Sequence, residues 1–212
     1  MTALLLGASG LTGGYCLQEL LENSAFEKVI APLRKEMAFS HPKLEQVIID
    51  FDKIADSKDK FKADVVFCCL GTTIKKAGSE AAFKKIDYEY PLHFAQISLQ
   101  QGASTFALVS AMGATAKSLF FYSRVKGELE NELKKLGYQT LIILQPSLLL
   151  GDRKEQRLGE DIAKIFTPIF NFFAPKKYQA IHAQQVAKAM VKLSTQGLKG
   201  VIVKESDKIK EV

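Results

Sequence analysis

Tyr122 and Lys126 stand four residues apart in the stretch FFYSRVKGELE. On a helix that spacing puts both side chains on one face. A phenol ordinarily titrates at about 10, and an ammonium beside it favours the phenolate. Such a pair is suited to giving a proton to, or taking one from, the oxygen of a carbonyl or carbinol. Ser110 lies upstream, at the end of the apolar run TFALV, with a hydroxyl able to hydrogen-bond the same oxygen. Two surface residues of an amphipathic helix produce the same Y-x-x-x-K spacing, and on spacing alone the readings are evenly matched. Ser110 at a strand end facing the same crevice sharpens the chemical one.

A second group with chemical potential opens the chain. Ala3 to Tyr15 reads ALLLGASGLTGGY. An apolar run enters a turn with Gly7, Gly10 and Gly13, and Leu11, Tyr15, Leu17, Leu20 and Leu21 follow at helical spacing. That is strand, tight turn, helix. Ser9, Leu11 and Thr12 complete the turn. Glycine lets the backbone come close to a ligand, and the helix start offers N–H groups and a positive dipole end to a pyrophosphate. The spacing is G-x-x-G-x-x-G, wider in its first gap than the common dinucleotide pattern. A merely structural turn is the alternative; the strand before it and the helix after it favour phosphate. Arg34 and Lys35 follow the next apolar run, KVIAPL, roughly 20 residues on, where an acidic residue would select NAD and a basic one NADP. NADP(H) is therefore expected over NAD(H), two solvated basic residues being the alternative.

Alternating elements must carry these groups. Strands are predicted over 28–33, 44–49 (LEQVII), 64–70 (DVVFCCL), 105–109 and 140–144 (TLIIL), with a helix from about 119 to 136. Asp50–Phe51 follows the third strand, either beside an adenine or as a helix cap and a core aromatic. Gly71–Thr72–Thr73 follows the fourth. Ser79 caps a segment, 80–101, that Pro91 is expected to bend or break. Pro146–Ser147 leaves the sixth strand. His182 opens a last helix to Ser194, and 201–203 is a candidate closing strand. Strand–helix alternation predicts an α/β fold, a Rossmann-type, doubly wound parallel sheet with helices on both faces. We expect one domain, 1–212, in which 147–182 contributes the substrate side.

Composition narrows the classes. The net charge is +6, but the lysine pairs at 75–76, 84–85, 134–135 and 176–177 are scattered among acidic residues, so no nucleic-acid surface is expected. The three cysteines, Cys16, Cys68 and Cys69, suit neither a disulfide framework nor a metal site. They read as free thiols in a reducing compartment. With a first strand that leaves no room for a signal peptide, they predict a cytoplasmic protein. The Phe-rich stripe from Ile162 to Phe173 reads as core packing, ahead of a substrate lid, a homodimer face or a peripheral membrane contact. Arg153 and Arg157 either grip an acidic substrate or pair with Asp152, Glu155 and Glu160. His182 is a candidate substrate contact or a packing residue.

The set GASGLTGG, strand-end Ser110 and YSRVK resembles the NAD(P)-binding short-chain dehydrogenases/reductases, in their extended or atypical branch. The stretches CCLGTTIKKAGSE, FFYSRVKGELE and LLLGDRKEQRLGE are similar to the Tat-interacting-protein-like group of that superfamily, and with the glycine turn they span residues 3 to about 190. The resemblance implies a Rossmann fold, NADP(H), and a Ser110–Tyr122–Lys126 site. It implies that Gly7, Gly10 and Gly13 face the pyrophosphate and that Arg34, with Lys35, meets the 2′-phosphate. Asp50 and Phe51 would lie by the adenine, Leu70 and Gly71 behind the adenosine ribose. Lys126 would also hold the nicotinamide ribose, and Pro146–Ser147 would border the nicotinamide. Where the main branch carries a relay asparagine, this chain has Asp87. The functional expectation is hydride transfer to or from a small carbonyl or alcohol, with Tyr122 as acid/base. The alternatives are an NADP(H)-sensing regulator or scaffold with little turnover, and an epimerase acting on a nucleotide sugar. The region after the sixth strand is small for so large a substrate.

Overall fold

The apolar runs become strands. A computed structural model describes residues 1–151 and 175–212. The strands are β1 (Thr2–Leu6), β2 (Lys28–Leu33), β3 (Leu44–Ile48), β4 (Val65–Cys68), β5 (Thr105–Val109), β6 (Thr140–Gln145), β7 (Leu149–Leu150), β8 (Ile181–His182) and β9 (Gly200–Glu205). Seven form one sheet in the order β3-β2-β1-β4-β5-β6-β9, and every neighbouring pair is parallel. The remaining two pair with each other, Leu149 with Ile181 and Leu150 with His182. Both faces of the large sheet are covered, which is why its central strands are apolar throughout rather than alternating.

Residues one apart on β1 feed two cores. Ala3 and Leu5 pack with α1 (Leu11–Glu22) and a late helix, Ala183–Ser194; Leu4 and Leu6 pack on the opposite face. The chain reverses between these layers through short capped elements. Asp50 caps the 3₁₀ segment Phe51–Lys60 by accepting from the Asp52 N–H at 2.9 Å. Thr73 caps the short helix α2 (Ile74–Ala77), and Ser79 caps α3 (Glu80–Lys84) by accepting from the Ala82 N–H at 3.1 Å.

The segment 80–101 stays helical but is not one α-helix. A π-helical turn, Lys85–Glu89, separates α3 from α4 (Tyr90–Gln100), and the Tyr90 N–H reaches back five residues to the Lys85 carbonyl. Pro91, the second residue of α4, has no N–H to give the carbonyl four residues back. The backbone widens ahead of it instead of breaking. The next helix, α5 (Phe121–Lys135), starts two residues later than expected, because Phe120 is extended and both Leu119 (94% exposed) and Phe120 (79% exposed) lie outside the helix. His182 ends β8, and the late helix, α6, begins at Ala183. The closing strand is longer than the apolar triplet. It pairs with β6 from Thr140↔Gly200 to Gln145↔Glu205 and leads into α7 (Ser206–Lys210), which the sequence did not announce.

All three cysteines are free, and burial pushes the Cys68 thiol up to about 12. No helix among the described residues is long and apolar enough to cross a membrane. Arg153, Arg157 and the Phe-rich stripe lie outside the described residues.

Gly127 fixes where the loop after β5 meets α5. A Cβ there would stand 2.2 Å from the Thr115 carbonyl carbon. Gly127→Ala must therefore displace backbone, and it is expected to lower stability by about 1–3 kcal/mol. Urea denaturation checks this; an unchanged midpoint would show that the loop does not rest on the helix.

Candidate functional site

The parallel sheet brings all its strand ends to one edge, and the chemically interesting residues collect there. The turn after β1 is built by backbone contact. Gly7 has φ +81°, and its carbonyl accepts from the Gly10 N–H at 2.9 Å. A Cβ on Gly7 would come within 2.8 Å of the Cys69 carbonyl oxygen, and one on Gly13 within 1.9 Å of the Gly7 oxygen. No side chain fits at either place. Gly10 caps α1 without a side-chain bond, and the first turn of α1 carries no acidic residue. The leading N–H groups of α1 therefore meet no competing carboxylate from that turn, and the cradle fits a pyrophosphate. Ser9 is exposed, Leu11 half-buried and Thr12 buried.

Arg34 and Lys35 are exposed immediately beyond β2, at the same edge. Asp50 and Phe51 take up the capping and packing roles: Asp50 holds the 3₁₀ start, and the Phe51 ring packs against Tyr90 and Phe94 at 5.5 and 5.7 Å. Beyond β4, Leu70 and Thr72 are half-buried and Gly71 is exposed. Pro146 is buried, and its carbonyl accepts from the Met112 N–H at 2.9 Å. The Ser147 hydroxyl donates to the Gln179 carbonyl at 2.5 Å and its N–H donates to the Ser206 hydroxyl at 2.7 Å, so this residue ties α7 to the sheet edge. His182 is exposed and makes no cap bond.

Tyr122 and Lys126 share one face of α5. The Tyr122 ring packs on the buried Phe83 ring, centroids 5.4 Å apart, while 37% of the residue stays exposed. Lys126 is 3% exposed, and its ammonium lies 2.8 Å from Asp87 Oδ1. The other Asp87 oxygen accepts from the Thr72 N–H at 2.9 Å. Burial works against the Lys126 charge, but Asp87, with Tyr122, outweighs it and holds the ammonium above the ordinary lysine value.

Ser110 makes its hydrogen bond to another residue of α5. It is buried, and its hydroxyl donates to Glu130 Oε1 at 2.5 Å. Glu130 also accepts from Gln145 Nε2 at 2.9 and 3.0 Å. The Ser110 proton, expected from the sequence to polarise a substrate oxygen, goes to a buried carboxylate in this structure. Glu130 is one more four-residue step along the stripe of Tyr122 and Lys126, and that spacing is the signal for it in the sequence; Gln145, at the end of β6, carries none. Asp87 was visible only as a substitution for asparagine; its ion pair depends on the π-helical turn.

A seven-stranded parallel sheet of this order, with a glycine cradle at the end of β1, defines a Rossmann-type nucleotide-binding domain. The chain belongs to the NAD(P)H-binding family, whose model matches residues 7–196, as an atypical short-chain dehydrogenase/reductase of the HTATIP2 group. It is 38% identical to rat (Rattus norvegicus) HTATIP2 over 169 residues, 78% of this chain and 69% of that one. It is 32% identical to mitochondrial FMP52 of Candida albicans over 210 residues, 94% of this chain and 90% of that one. The fold superposes on a short-chain dehydrogenase/reductase from Burkholderia thailandensis with a TM-score of 0.74 at 16% identity, covering 100% of this chain and 93% of that one. The cytoplasmic location expected from the sequence does not stand: FMP52 relatives from several fungi are mitochondrial proteins.

A raised lysine value contributes stability that is fully present below the ordinary value of 10.5 and is lost as pH rises through the higher folded value. Lys126→Met leaves the Asp87 carboxylate buried without its counter-ion, and should cost about 3–5 kcal/mol. That loss should be present in urea denaturation at neutral pH and persist undiminished up to the ordinary lysine value of 10.5, falling only as pH rises beyond it. A loss that vanishes by about pH 8 would mean the pair is not charged as described.

Proposed function

We propose that this chain is an NADP(H)-dependent oxidoreductase acting on a small carbonyl or alcohol. The observation that carries this reading is the Tyr122–Lys126 pair, half-exposed phenol beside buried ammonium, on the same sheet edge as a cradle that admits only glycine. Gly7, Gly10 and Gly13 with the start of α1 would hold the pyrophosphate. Arg34, with Lys35, would meet the 2′-phosphate, and Lys126 the nicotinamide ribose. When bound, the nicotinamide supplies or accepts the hydride. Tyr122 gives its proton to the substrate oxygen in reduction and takes it back in oxidation. Lys126 places a positive charge on the same face of α5 as the phenol and would hold the nicotinamide ribose. Substrate oxygen would then be polarised by Tyr122 without the Ser110 proton.

A second reading, an NADP(H)-sensing regulator with little turnover, draws on one specific observation: the Ser110 hydroxyl is bound to Glu130, so the set of donors is smaller than a full reductase site employs.

Two measurements separate these readings. With a panel of small aldehydes and ketones and NADPH oxidation as the signal, Tyr122→Phe should cut turnover by about 10²-fold or more and leave NADPH binding nearly intact. Equal turnover in that variant would rule out the acid/base role; no turnover in wild type, with NADPH bound, would favour the sensor. Arg34→Ala removes a charge-assisted contact of about 1.5–3 kcal/mol, so NADPH affinity should fall roughly tenfold or more while NADH affinity is unchanged. A parallel loss for both cofactors would remove Arg34 from the 2′-phosphate.

A further inference from the structure

Asp87 is fully buried and sits in the one π-helical turn among the described residues. Its two carboxylate oxygens have separate partners on separate elements. Oδ1 faces the Lys126 ammonium of α5 at 2.8 Å, and Oδ2 accepts from the Thr72 N–H, just beyond β4, at 2.9 Å. Directly over the pair lies Gly71: a Cβ there would stand 3.3 Å from Asp87 Oδ1 and 3.6 Å from Lys126 Nζ. One side chain therefore joins the turn after β4, the π-helical turn and the helix that carries Tyr122. An asparagine could serve the Thr72 N–H equally well, through its carbonyl oxygen. It could not hold an ammonium in a place closed to water, because a buried charge needs an opposite one. The carboxylate is needed for Lys126, not for the turn.

We propose that Asp87 is the positioning residue of this site, its carboxylate fixing the Lys126 ammonium beside Tyr122 and locking it in register with the Gly71–Thr72 turn. Asp87 touches neither cofactor nor substrate in this account; it acts through Lys126. The proposal rests on the reading of Lys126 as the contact to the nicotinamide ribose.

The test compares NADPH with 2′,5′-ADP, which lacks the nicotinamide half (5′-AMP if wild type proves NAD-specific). Asp87→Asn keeps an acceptor for Thr72 and frees Lys126. Calorimetry should show NADPH affinity reduced about tenfold, a loss of about 1.4 kcal/mol, with 2′,5′-ADP affinity within about twofold of wild type. The double variant Asp87→Asn/Lys126→Met has no ammonium to place and no lone buried charge. Because Asp87 acts only through Lys126, the double variant should bind NADPH within about twofold of Lys126→Met alone, a comparison that stands even if Asp87→Asn is unfolded; a further loss on adding Asp87→Asn would overturn the proposal. Wild-type affinity for NADPH in Asp87→Asn, or equal losses for both ligands, would overturn the proposal. Wild type that binds no dinucleotide would instead defeat the cofactor reading itself.

Discussion

The Gly7 backbone is pressed between two neighbours. On one side lies the Cys69 carbonyl at the end of β4; on the other, the start of α1, where Gly13 comes so close that any side chain would overlap the Gly7 oxygen. Much of the molecule's geometry follows from that contact. α1 can begin directly over the end of β1 only because both positions lack a Cβ, and its exposed N–H groups then point into the crevice at the sheet edge. The parallel order carries Arg34, Gly71, Tyr122 and Pro146 to the same edge. A cradle made of backbone offers polar groups without side-chain entropy to lose, which suits a ligand rich in phosphate.

The opposite wall is organised by buried charge. Lys126 and Glu130, four residues apart on α5, are both almost closed to solvent, and each has found a separate partner set. Lys126 pairs with Asp87; Glu130 collects the Ser110 hydroxyl and the Gln145 amide. Taking an ion out of water costs several kcal/mol, and only close, well-placed partners offset that. The two clusters tie α5 to the turns after β4 and β5 and to the end of β6. One cluster holds a cation on the face of α5 that carries the phenol; the other takes the Ser110 proton.

Much of this was legible in the residues. Apolar runs bounded by glycine, proline or charge located six strands within a residue or two, because strands covered on both faces are apolar throughout and leave a strong local signal. The caps at Ser79 and Asp50 were readable for the same local reason. The breaks in that legibility have physical causes. Pro91 announced a disturbance but not its form, since widening by one residue depends on what the turn packs against. β9 is an edge strand in which Val201 and Val203 are exposed, so its apolar signal was only three residues long. The destination of the Ser110 proton could not be read from spacing. Strand-end position identifies the edge, while the hydrogen bond depends on Glu130, 20 residues away in the chain and brought near by the crossover of α5.

The central claim is that the glycine cradle and the Tyr122–Lys126 wall form one dinucleotide site. Calorimetric titration of the wild-type chain with NADPH and, separately, NADH tests it most directly. The account predicts saturable binding of one dinucleotide per chain, tighter for NADPH, with Lys126→Met weakening it. Binding of neither dinucleotide, or binding indifferent to Lys126, would contradict it.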